Sequence, residues 1–465
     1  MPQGNSAASR DIAFQLHPYT NLAKHEADGP FIVARGKGVH VWDDSGKEYI
    51  EGLAGLWCAS LGFGEERLVA AAAEQMRRLS FAHLFNGKSH EPAIELAERL
   101  IALMPVPMSK VFFNNSGSEA NDTAIKLVWY YNNALGRPRK KKIISRLLGY
   151  HGVTIATASL TGLANNHRDF DLPIANILHT DCPHHYRFAE AGESEEDFAT
   201  RLAANLDSLI EREGADTIAA MIVEPVMGAG GVLLPPRTYF AKIQEVLRRH
   251  DVLLIADEVI CGFYRTGAAF GSETFGLKPD IMTLAKALSS GYLPISATIV
   301  SEPIYQALKS QSQKIGSFAH GFTYSGHPVA CVVAIETLNI YRERDMGAHV
   351  RRLAPRFQDG LRRFAAHPLV GDVRGIGLIA GIELVADKAS RRHFAPELGV
   401  GAILGARAQE NGLIVRALGG DSIALCPPLV IGEAEIDTLL ERFGRALDET
   451  QELLAARPLA QERGA

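Results

Sequence analysis

The sequence predicts an α/β protein built on a mainly parallel sheet that is flanked by helices. Two continuous apolar runs, AMIVE ending at Glu224 and VLLIADE ending at Asp257 and Glu258, are typical of strands covered on both faces. Stretches such as PAIELAERLIALM have the apolar spacing of amphipathic helices. Ligands bind at the carboxyl ends of the strands in such sheets. Asp257 is therefore expected beside a ligand.

Length and composition limit the possible functions. At 465 residues the chain exceeds what one hydrophobic core usually holds, so two domains are expected. A net charge of -5 gives no electrostatic footprint for nucleic acid or an anionic membrane. The cysteines are scattered and odd in number, which predicts free thiols in a reducing compartment. With no secretion signal or membrane span in the sequence, we expect a cytoplasmic protein without nucleic-acid or membrane partners.

The N-terminal region combines a polar start with a predicted hairpin. About sixteen residues at the start are polar and are expected to be mobile. VHVWDDSGKEYIEGLAG then places the turn residues Asp44, Ser45 and Gly46 between two short apolar-bearing runs, a pattern typical of a β-hairpin. Trp57 follows the hairpin, and a buried tryptophan at this point could be core or the wall of a pocket.

The segment VFFNNSGSEANDTAIKLVWYY predicts a strand, a turn of small residues and a helix. The turn contains Ser116, Gly117 and Ser118. Backbone N–H groups and the positive end of the helix dipole can hold a phosphate at such a place. A helix cap that begins at a serine has a similar pattern, so both interpretations stay open on the motif alone.

Lys286 lies in the apolar run IMTLAKAL, 29 positions after Asp257. Apolar surroundings make an amine easier to deprotonate and allow it to form a Schiff base with an aldehyde. A buried carboxylate nearby can keep a pyridine nitrogen protonated. These two functions are what a protein contributes to pyridoxal phosphate (PLP) chemistry. Alone, Asp257 would be interpreted as a turn former and Lys286 as a surface charge. The pair favours the catalytic interpretation.

The segments LLIADEV and TLAKALSSGYLPISA resemble the signatures of the class III, fold-type I PLP-dependent aminotransferases. The likeness extends from HPYTN at His17 to LCPPL at Leu425, and it is strongest to the ω-amino acid:pyruvate and amine:pyruvate transaminases. The resemblance implies that Lys286 forms the Schiff base and carries the proton, and that Asp257 binds the pyridinium nitrogen. It also places Val259 against the cofactor ring.

The resemblance implies further cofactor contacts in several other segments. Tyr150 would lie flat on the cofactor ring, and Thr323 would bind the phosphate of the neighbouring subunit's cofactor. A homodimer with shared sites follows from this, possibly as a dimer of dimers. The full set of expected cofactor-binding residues is Ser116, Gly117, Ser118, Tyr150, His151, Glu224, Asp257, Val259, Lys286, Phe322 and Thr323.

The substrate pocket is also predicted from the resemblance. Many relatives that act on ornithine, acetylornithine or 4-aminobutyrate carry a glutamate, where this chain has Ala229, that pairs with a substrate-binding arginine, so Ala229 weighs against those substrates. Arg416 matches that arginine, although an arginine in a strand is often half of a structural ion pair; its guanidinium can bind a carboxylate through two parallel bonds. The expected substrate-binding residues are Tyr19, Trp57, Phe85, Tyr150, Ala229 and Arg416, with Phe85 facing the neighbour's pocket.

Two motifs suggest other chemistries and are set aside. DCPHHY gathers metal-binding residue types, but its spacing fits no zinc pattern, so no metal is expected. GIGLIAG at Gly375 to Gly381 resembles a dinucleotide-binding motif, yet a strand-like stretch follows it where a helix should begin.

We therefore expect a fold-type I PLP-dependent transferase. Residues 59–330 form its large domain, 331–465 its small α+β domain, and 1–58 an N-terminal segment that packs with the small domain. The expected reaction moves an amino group from an ω-amino acid or primary amine to a keto acid, with pyruvate as the acceptor, by a ping-pong mechanism. Open alternatives are 2-oxoglutarate as acceptor, or a decarboxylase, racemase or aminomutase on the same fold.

Overall fold

The computed structural model describes residues 5–456. Its N-terminal part contains two helices outside the core, an antiparallel β-hairpin with an additional edge strand, and a short helical turn. Their bounds are α1 Ala7–Phe14, α2 Leu22–Asp28, β1 Val33–Lys37, β2 His40–Asp43, β3 Glu48–Glu51 and α3 Ala54–Trp57. The predicted hairpin turn is present between β2 and β3, where Asp43 Oδ1 accepts the N–H groups of Ser45 and Lys47.

The stretch expected to be mobile lies only partly within the described residues, since residues 1–4 fall outside them. Residues 7–14 form helix α1 instead of an irregular segment. Ser6 caps this helix by accepting the N–H of Ser9. Asp11 then joins the helix to the following chain, because its Oδ2 lies 2.8 Å from His17 Nε2 and 3.0 Å from His25 Nε2.

A seven-stranded sheet forms the centre of the large region. The strands are β4 Lys110–Asn114, β5 Lys142–Arg146, β6 Ile177–Thr180, β7 Ile218–Val223, β8 Leu253–Asp257, β9 Ile281–Leu284 and β10 Ser296–Val300. Their order in the sheet is β4-β10-β9-β8-β7-β5-β6, and β10 alone among them runs against its neighbours. This confirms the mixed α/β class with a mainly parallel sheet. β7 is buried along its whole length, as its continuous apolar run predicted.

The helices of this region pack around the sheet. They are α4 Glu66–Arg78, α5 Glu91–Leu103, α6 Gly117–Ala134, α7 Ile155–Leu160, α8 His185–Phe188, α9 Glu195–Glu213, α10 Tyr239–Arg249, α11 Gly271–Phe275 and α12 Glu302–Ile315. The long helices present one apolar face to the core; α9, for example, buries Phe198, Leu202 and Leu206.

The C-terminal part contains a second small sheet and four helices. Its elements are α13 Pro328–Glu343, α14 Met346–Arg362, β11 Val370–Ile376, β12 Ile379–Leu384, α15 Val400–Glu410, β13 Leu413–Ile414, β14 Arg416–Leu418, β15 Ser422–Leu425 and α16 Glu433–Ala456. β11, β12, β15 and β14 form one antiparallel sheet, whereas β13 pairs in parallel with β3 of the N-terminal hairpin. The two ends of the chain thus share a sheet. The predicted domain boundaries stay predictions, and residues 457–465 of the small domain lie outside the described part.

The GIGLIAG motif forms the tight turn of the β11–β12 hairpin, with Ile376 opposite Ile379. Gly377 has a φ of +57°, and a Cβ there would lie 2.3 Å from the carbonyl oxygen of Arg265. These glycines therefore serve a turn and close packing. Between residues 5 and 456, no helix is long and apolar enough to cross a membrane.

Candidate active site

The candidate site lies at one edge of the central sheet, where several strands end. Asp257 is the last residue of β8, Glu224 follows β7, and Lys286 comes two residues after the end of β9. Tyr150 and His151 follow β5, and the N-terminus of α6 comes shortly after β4. Because these five strands run in the same direction, their carboxyl ends meet at one edge, and all of these residues line a single cavity.

Asp257 is held by three donors. Its Oδ2 accepts hydrogen bonds from Asn121 Nδ2 and His151 Nδ1, each over 2.8 Å, and its Oδ1 accepts the N–H of Val259 over 3.1 Å. The side chain is 4% exposed. With an ionised Asp257, the hydrogen of a neutral His151 must be on Nδ1. The carboxylate therefore has one fixed orientation toward the cavity.

Lys286 presents its amine to the same cavity. Removal from water lowers the pKa of Lys286, although the nearby Cys58, Asp257 and Glu224 act in the opposite direction. A larger fraction of the amine is therefore uncharged, which is the nucleophilic form, than would be in water. Lys286 also has a φ of +47°, a backbone conformation that is strained for a side chain of this kind.

Glu224 joins the two loops beside the cavity. Its Oε1 accepts the N–H of Tyr150 and its Oε2 accepts the N–H of Gly228, each over 3.0 Å. Burial raises the pKa of Glu224, and the Asp257 charge adds to this, whereas His151 opposes it. Burial, and then a hydrogen bond that its hydroxyl donates to Tyr19, raise the pKa of Tyr150, so its phenol stays protonated. Glu224 therefore orients the loop that carries Tyr150.

The N-terminus of α6 forms the cradle that the sequence predicts. Ser116 is the N-cap and accepts the N–H of Glu119, whereas Gly117 and Ser118 line the cavity. A Cβ at Gly117 would lie 3.2 Å from Val259, and one at Gly152 would lie 2.6 Å from Ser118 Oγ. The approach at Gly152 leaves no room for a side chain, whereas one at Gly117 would require Val259 to shift by a few tenths of an ångström. The first N–H groups of a helix have no partner within the helix, so they can bind an anion here.

Trp57 forms the wall between two cations. Its ring centroid lies 5.2 Å from Lys286 Nζ and 5.0 Å from the guanidinium carbon of Arg416. In the described part of the chain, no carboxylate lies within 4.0 Å of Arg416, so the interpretation of Arg416 as half of a structural ion pair is not supported. Ala229, Tyr150 and Tyr19 complete this wall of the cavity.

Four predicted residues do not line this cavity: Ser116, which caps α6 beside it, and Phe85, Phe322 and Thr323. Phe85 lies in a separate surface pocket with the segment 317–321, and Gly321 approaches it so closely that a Cβ would be 2.9 Å from its ring. Phe322 and Thr323 follow in the same loop, and Thr323 is exposed. Their predicted roles in a neighbouring subunit's site remain predictions.

Four residues of the cavity were missing from the sequence prediction: Leu56, Asn121, Gly152 and Ile260. Asn121 matters most, because its amide also donates to the carbonyl of His151 and accepts from Thr283 Oγ1. It lies four residues after Gly117, hence on the same face of α6 as the cradle. That spacing was the signal that could have identified it.

The DCPHHY motif contributes a histidine to an ion-pair cluster. His184 Nε2 lies 3.8 Å from Asp372 and 3.9 Å from Glu383, a proximity that the spacing in the sequence did not reveal. Arg374 pairs with both carboxylates over 2.8 Å, and Arg187 pairs with Glu383. Since arginines already neutralise these carboxylates, the cluster supports no metal site.

The residues of the cavity fit PLP. The carboxylate of Asp257 can bind a ring nitrogen, and the amine of Lys286 can react with an aldehyde. The cradle at the N-terminus of α6 can donate its N–H groups to a phosphate. Two buried donors or acceptors of the lining, His151 Nε2 and Trp57 Nε1, have no hydrogen-bond partner among the described residues. A cavity that combines these groups matches the three functional parts of the cofactor.

Comparisons with known proteins agree with this fit. Residues 22–447 match the family described as aminotransferase class-III. Gamma aminobutyrate transaminase 1 of Solanum lycopersicum, a mitochondrial protein, is 53% identical over 437 residues, which cover 94% of this chain and 85% of the relative. Gamma-aminobutyrate transaminase 1 of Oryza sativa subsp. japonica, also mitochondrial, is 54% identical, with coverage of 98% and 88%.

Solved structures show the same likeness in three dimensions. The omega transaminase from Pseudomonas jessenii in complex with PMP is 56% identical and has a TM-score of 0.95; the match covers 97% of this chain and 99% of that chain. A thermostable omega transaminase variant engineered for asymmetric synthesis of enantiopure bulky amines has the same identity and TM-score.

Proposed function

The chain belongs to the class III aminotransferases, and we propose that it transfers the amino group of an ω-amino acid or primary amine to pyruvate. Transamination between an amine and a keto acid, with PLP as the cofactor, follows from the family and its solved relatives. The choice of donor and of pyruvate as acceptor is our proposal. The observation that carries it is Arg416, a cation in the cavity wall without an internal carboxylate partner.

Bound PLP supplies an electron sink that stabilises negative charge at the reacting carbon of the substrate. Asp257, oriented by Asn121 and His151, holds the proton on the ring nitrogen. Lys286, whose amine the site makes easier to deprotonate, would hold the Schiff base to the cofactor and, once released, would carry the proton away from the substrate carbon. Tyr150 and Trp57 close the cavity around these groups.

The donor side of the proposal rests on Ala229. A small apolar residue stands where many relatives carry the glutamate that would hold the arginine. Arg416 is therefore free to bind a carboxylate or to leave room for an uncharged substituent. Both gamma-aminobutyrate transaminases in the comparison are named for an ω-amino acid, so 4-aminobutyrate is a candidate donor although Ala229 weighed against it.

The proposal of pyruvate as the amino-group acceptor rests on the number of cationic side chains that line the cavity. Lys286 is reserved for the chemistry, so among the lining residues Arg416 is left as the single cation for a carboxylate. Pyruvate has one carboxylate, whereas 2-oxoglutarate has two and would bring a second charge into a wall of Trp57, Tyr150 and Ala229. An unpaired charge in such surroundings is costly. This favours pyruvate.

We also propose a homodimer in the cytoplasm. Thr323 and Phe85 lie outside their own chain's cavity, and the exposed rings of Phe81 and Tyr324 lie side by side with their centroids 5.7 Å apart. Exposed apolar surface of this kind is typical of an interface. The cytoplasm is inferred from five free cysteines.

A donor and acceptor panel tests the proposal. Purified enzyme is given β-alanine, 4-aminobutyrate, putrescine or an aryl-alkyl amine with either pyruvate or 2-oxoglutarate, and alanine or glutamate formation is measured. We expect one alanine per amine consumed and at least tenfold higher kcat/KM with pyruvate, about 1.4 kcal/mol of discrimination. A preference for 2-oxoglutarate would overturn the acceptor assignment and leave the aminotransferase assignment intact.

A further inference from the structure

Glu51 is a buried carboxylate without a cation. It is the last residue of β3, is 7% exposed, and forms no ion pair within the described residues. Its Oε1 accepts the N–H of Leu53 over 2.9 Å; burial raises the pKa of Glu51 to about 7, and the backbone N–H groups of Leu53 and Gly55 oppose this. An unpaired buried carboxyl group is costly, so the presence of Glu51 beside this turn requires an explanation.

The turn that Glu51 binds has an unusual backbone. Ala54, Gly55 and Trp57 have φ angles of +50°, +69° and +59°, although two of these residues carry a Cβ. Such conformations persist only where the surroundings determine them, and they occur at functional sites. Backbone bonds from Trp57 N to Leu53 O and from Cys58 N to Ala54 O also tie the turn together.

The strained turn determines the position of Trp57. Its ring is 4% exposed and lies between Lys286 and Arg416, at 5.2 and 5.0 Å. Without the hydrogen bond to Glu51, the chain between Leu53 and Trp57 could relax toward ordinary φ angles. The ring would then leave its place between the reacting amine and the carboxylate-binding arginine.

We propose that Glu51 is a positioning residue for the substrate pocket: by accepting the N–H of Leu53, it holds the turn that places Trp57 between Lys286 and Arg416. The consequence for catalysis rests on the proposed function, in which the amine substituent lies against Trp57. Glu51 itself does not line the cavity and touches no reacting atom.

The first test follows Trp57 without any substrate. The chain has three tryptophans, Trp42, Trp57 and Trp129. In holoenzyme labelled with 5-fluorotryptophan, ¹⁹F NMR gives one resonance for each, and Trp57→Phe assigns the relevant one. Glu51→Gln keeps the size of the side chain but removes its charge and replaces one of its two acceptor oxygens with an NH2 group, which donates. We expect it to shift or broaden the Trp57 resonance alone.

A double-mutant cycle provides the kinetic test. We expect Glu51→Gln to lower kcat/KM for an aryl-alkyl amine about tenfold in the enzyme with Trp57, as for the loss of one charge-assisted hydrogen bond, and less than about twofold in a Trp57→Gly background. Glu48→Gln, the same change at an exposed position of β3, should have no effect in either background.

The outcomes separate this inference from the proposed function. Additive losses in the cycle, or an unchanged Trp57 resonance in Glu51→Gln, would overturn the role of Glu51. If Trp57→Gly leaves every amine unaffected, the placement of the substrate is wrong, while the NMR result still decides whether Glu51 positions Trp57. Should Glu51→Gln fail to fold, Glu51→Asp, which keeps the charge but moves it back by one methylene, must shift the same resonance.

Discussion

Asn121 donates a hydrogen bond to Oδ2 of Asp257 over 2.8 Å, and the same oxygen accepts a second hydrogen bond from Nδ1 of His151. A helix residue and a loop residue thereby fix a carboxylate at the end of β8. Because Asn121 Oδ1 accepts Thr283 Oγ1, its amide cannot rotate without losing a second bond. The orientation of the acid in the active site thus depends on α6 as much as on the sheet.

Asn121→Leu should lower kcat about tenfold to a hundredfold, because a hydrogen bond to a charged group contributes about 1.5–3 kcal/mol. The pH dependence of the bound cofactor's visible absorbance should change as well, since Asp257 would hold the ring proton less firmly. Thr283→Val, which removes only the support of Asn121, should show a smaller change in the same direction. Unchanged spectra in both variants would contradict this role for Asn121.

Lys286→Ala should remove the visible absorbance of the purified enzyme and reduce turnover below detection. The physical reason is the loss of the one amine that the cavity offers to the cofactor's aldehyde. PLP should still bind through the α6 cradle, which equilibrium dialysis measures. Mass spectrometry after borohydride reduction gives a second readout: the cofactor's mass stays on wild-type chains and should be absent from the variant. Retention of that mass on the variant would disprove the assignment.

Thr323→Ala should weaken cofactor retention by about 0.5–1.5 kcal/mol, the usual net value of one hydrogen bond. Mixing it with Lys286→Ala chains tests whether sites are shared between subunits. A mixed dimer would combine one intact site with one doubly damaged site, so activity should rise above that of either parent. If labelled subunits exchange and activity does not exceed the Thr323→Ala value, the sites are not shared.

Arg416→Ala should slow the return half-reaction with pyruvate about a hundredfold or more, as for the loss of a bidentate pair with a carboxylate. The forward half-reaction with an aryl-alkyl amine should hardly change. Single-turnover absorbance measurements follow each half-reaction separately. Arg416→Lys is the matched control, since it keeps the charge but loses the planar fork. Equal losses in both directions would assign Arg416 a structural role.

The loop that carries Thr323 should loosen in mild acid because of His320. Lys126 Nζ lies 2.9 Å from His320 Nδ1 and Thr123 Oγ1 lies 3.0 Å from Nε2, an arrangement that requires a neutral ring. Burial, and then the Lys126 charge, lower the pKa of His320 to about 4. Between this value and the unfolded value near 6.5, the unfolded chain binds more protons, so stability falls as the pH falls.

We expect a loss of about 1–2 kcal/mol in the free energy of unfolding between pH 7 and pH 4.5 from this group, after allowance for solvent screening. Urea denaturation at a series of pH values measures it. His320→Gln removes the titrating ring and should flatten the curve in this window relative to the wild type. A curve of unchanged slope in the variant would show that His320 does not carry the effect.

Sequence reasoning reached the parts of the site that lie at strand ends. Asp257 and Lys286 could be predicted because apolar runs mark β8 and β9, and parallel strands bring their ends together. The spacing of Asn121 from Gly117 places it on the same face of α6, but its contact with Asp257 depends on how that helix lies over the sheet, which the sequence does not give. Likewise His184 lies beside Asp372 and Glu383 through packing between distant segments. Phe85 and Thr323 depend on a second chain.

The pairing of β13 with β3 has a consequence for the synthesis of the chain. Ile50 lies near the start of the chain and its partner Leu413 near the end, so almost the entire polypeptide must leave the ribosome before this sheet can close. Until then the hairpin that precedes Glu51 and Trp57 has an open edge, and open edges invite pairing with other chains. Contacts between such distant positions also form late and slowly. The catalytic pocket therefore acquires its tryptophan wall only after translation is nearly complete.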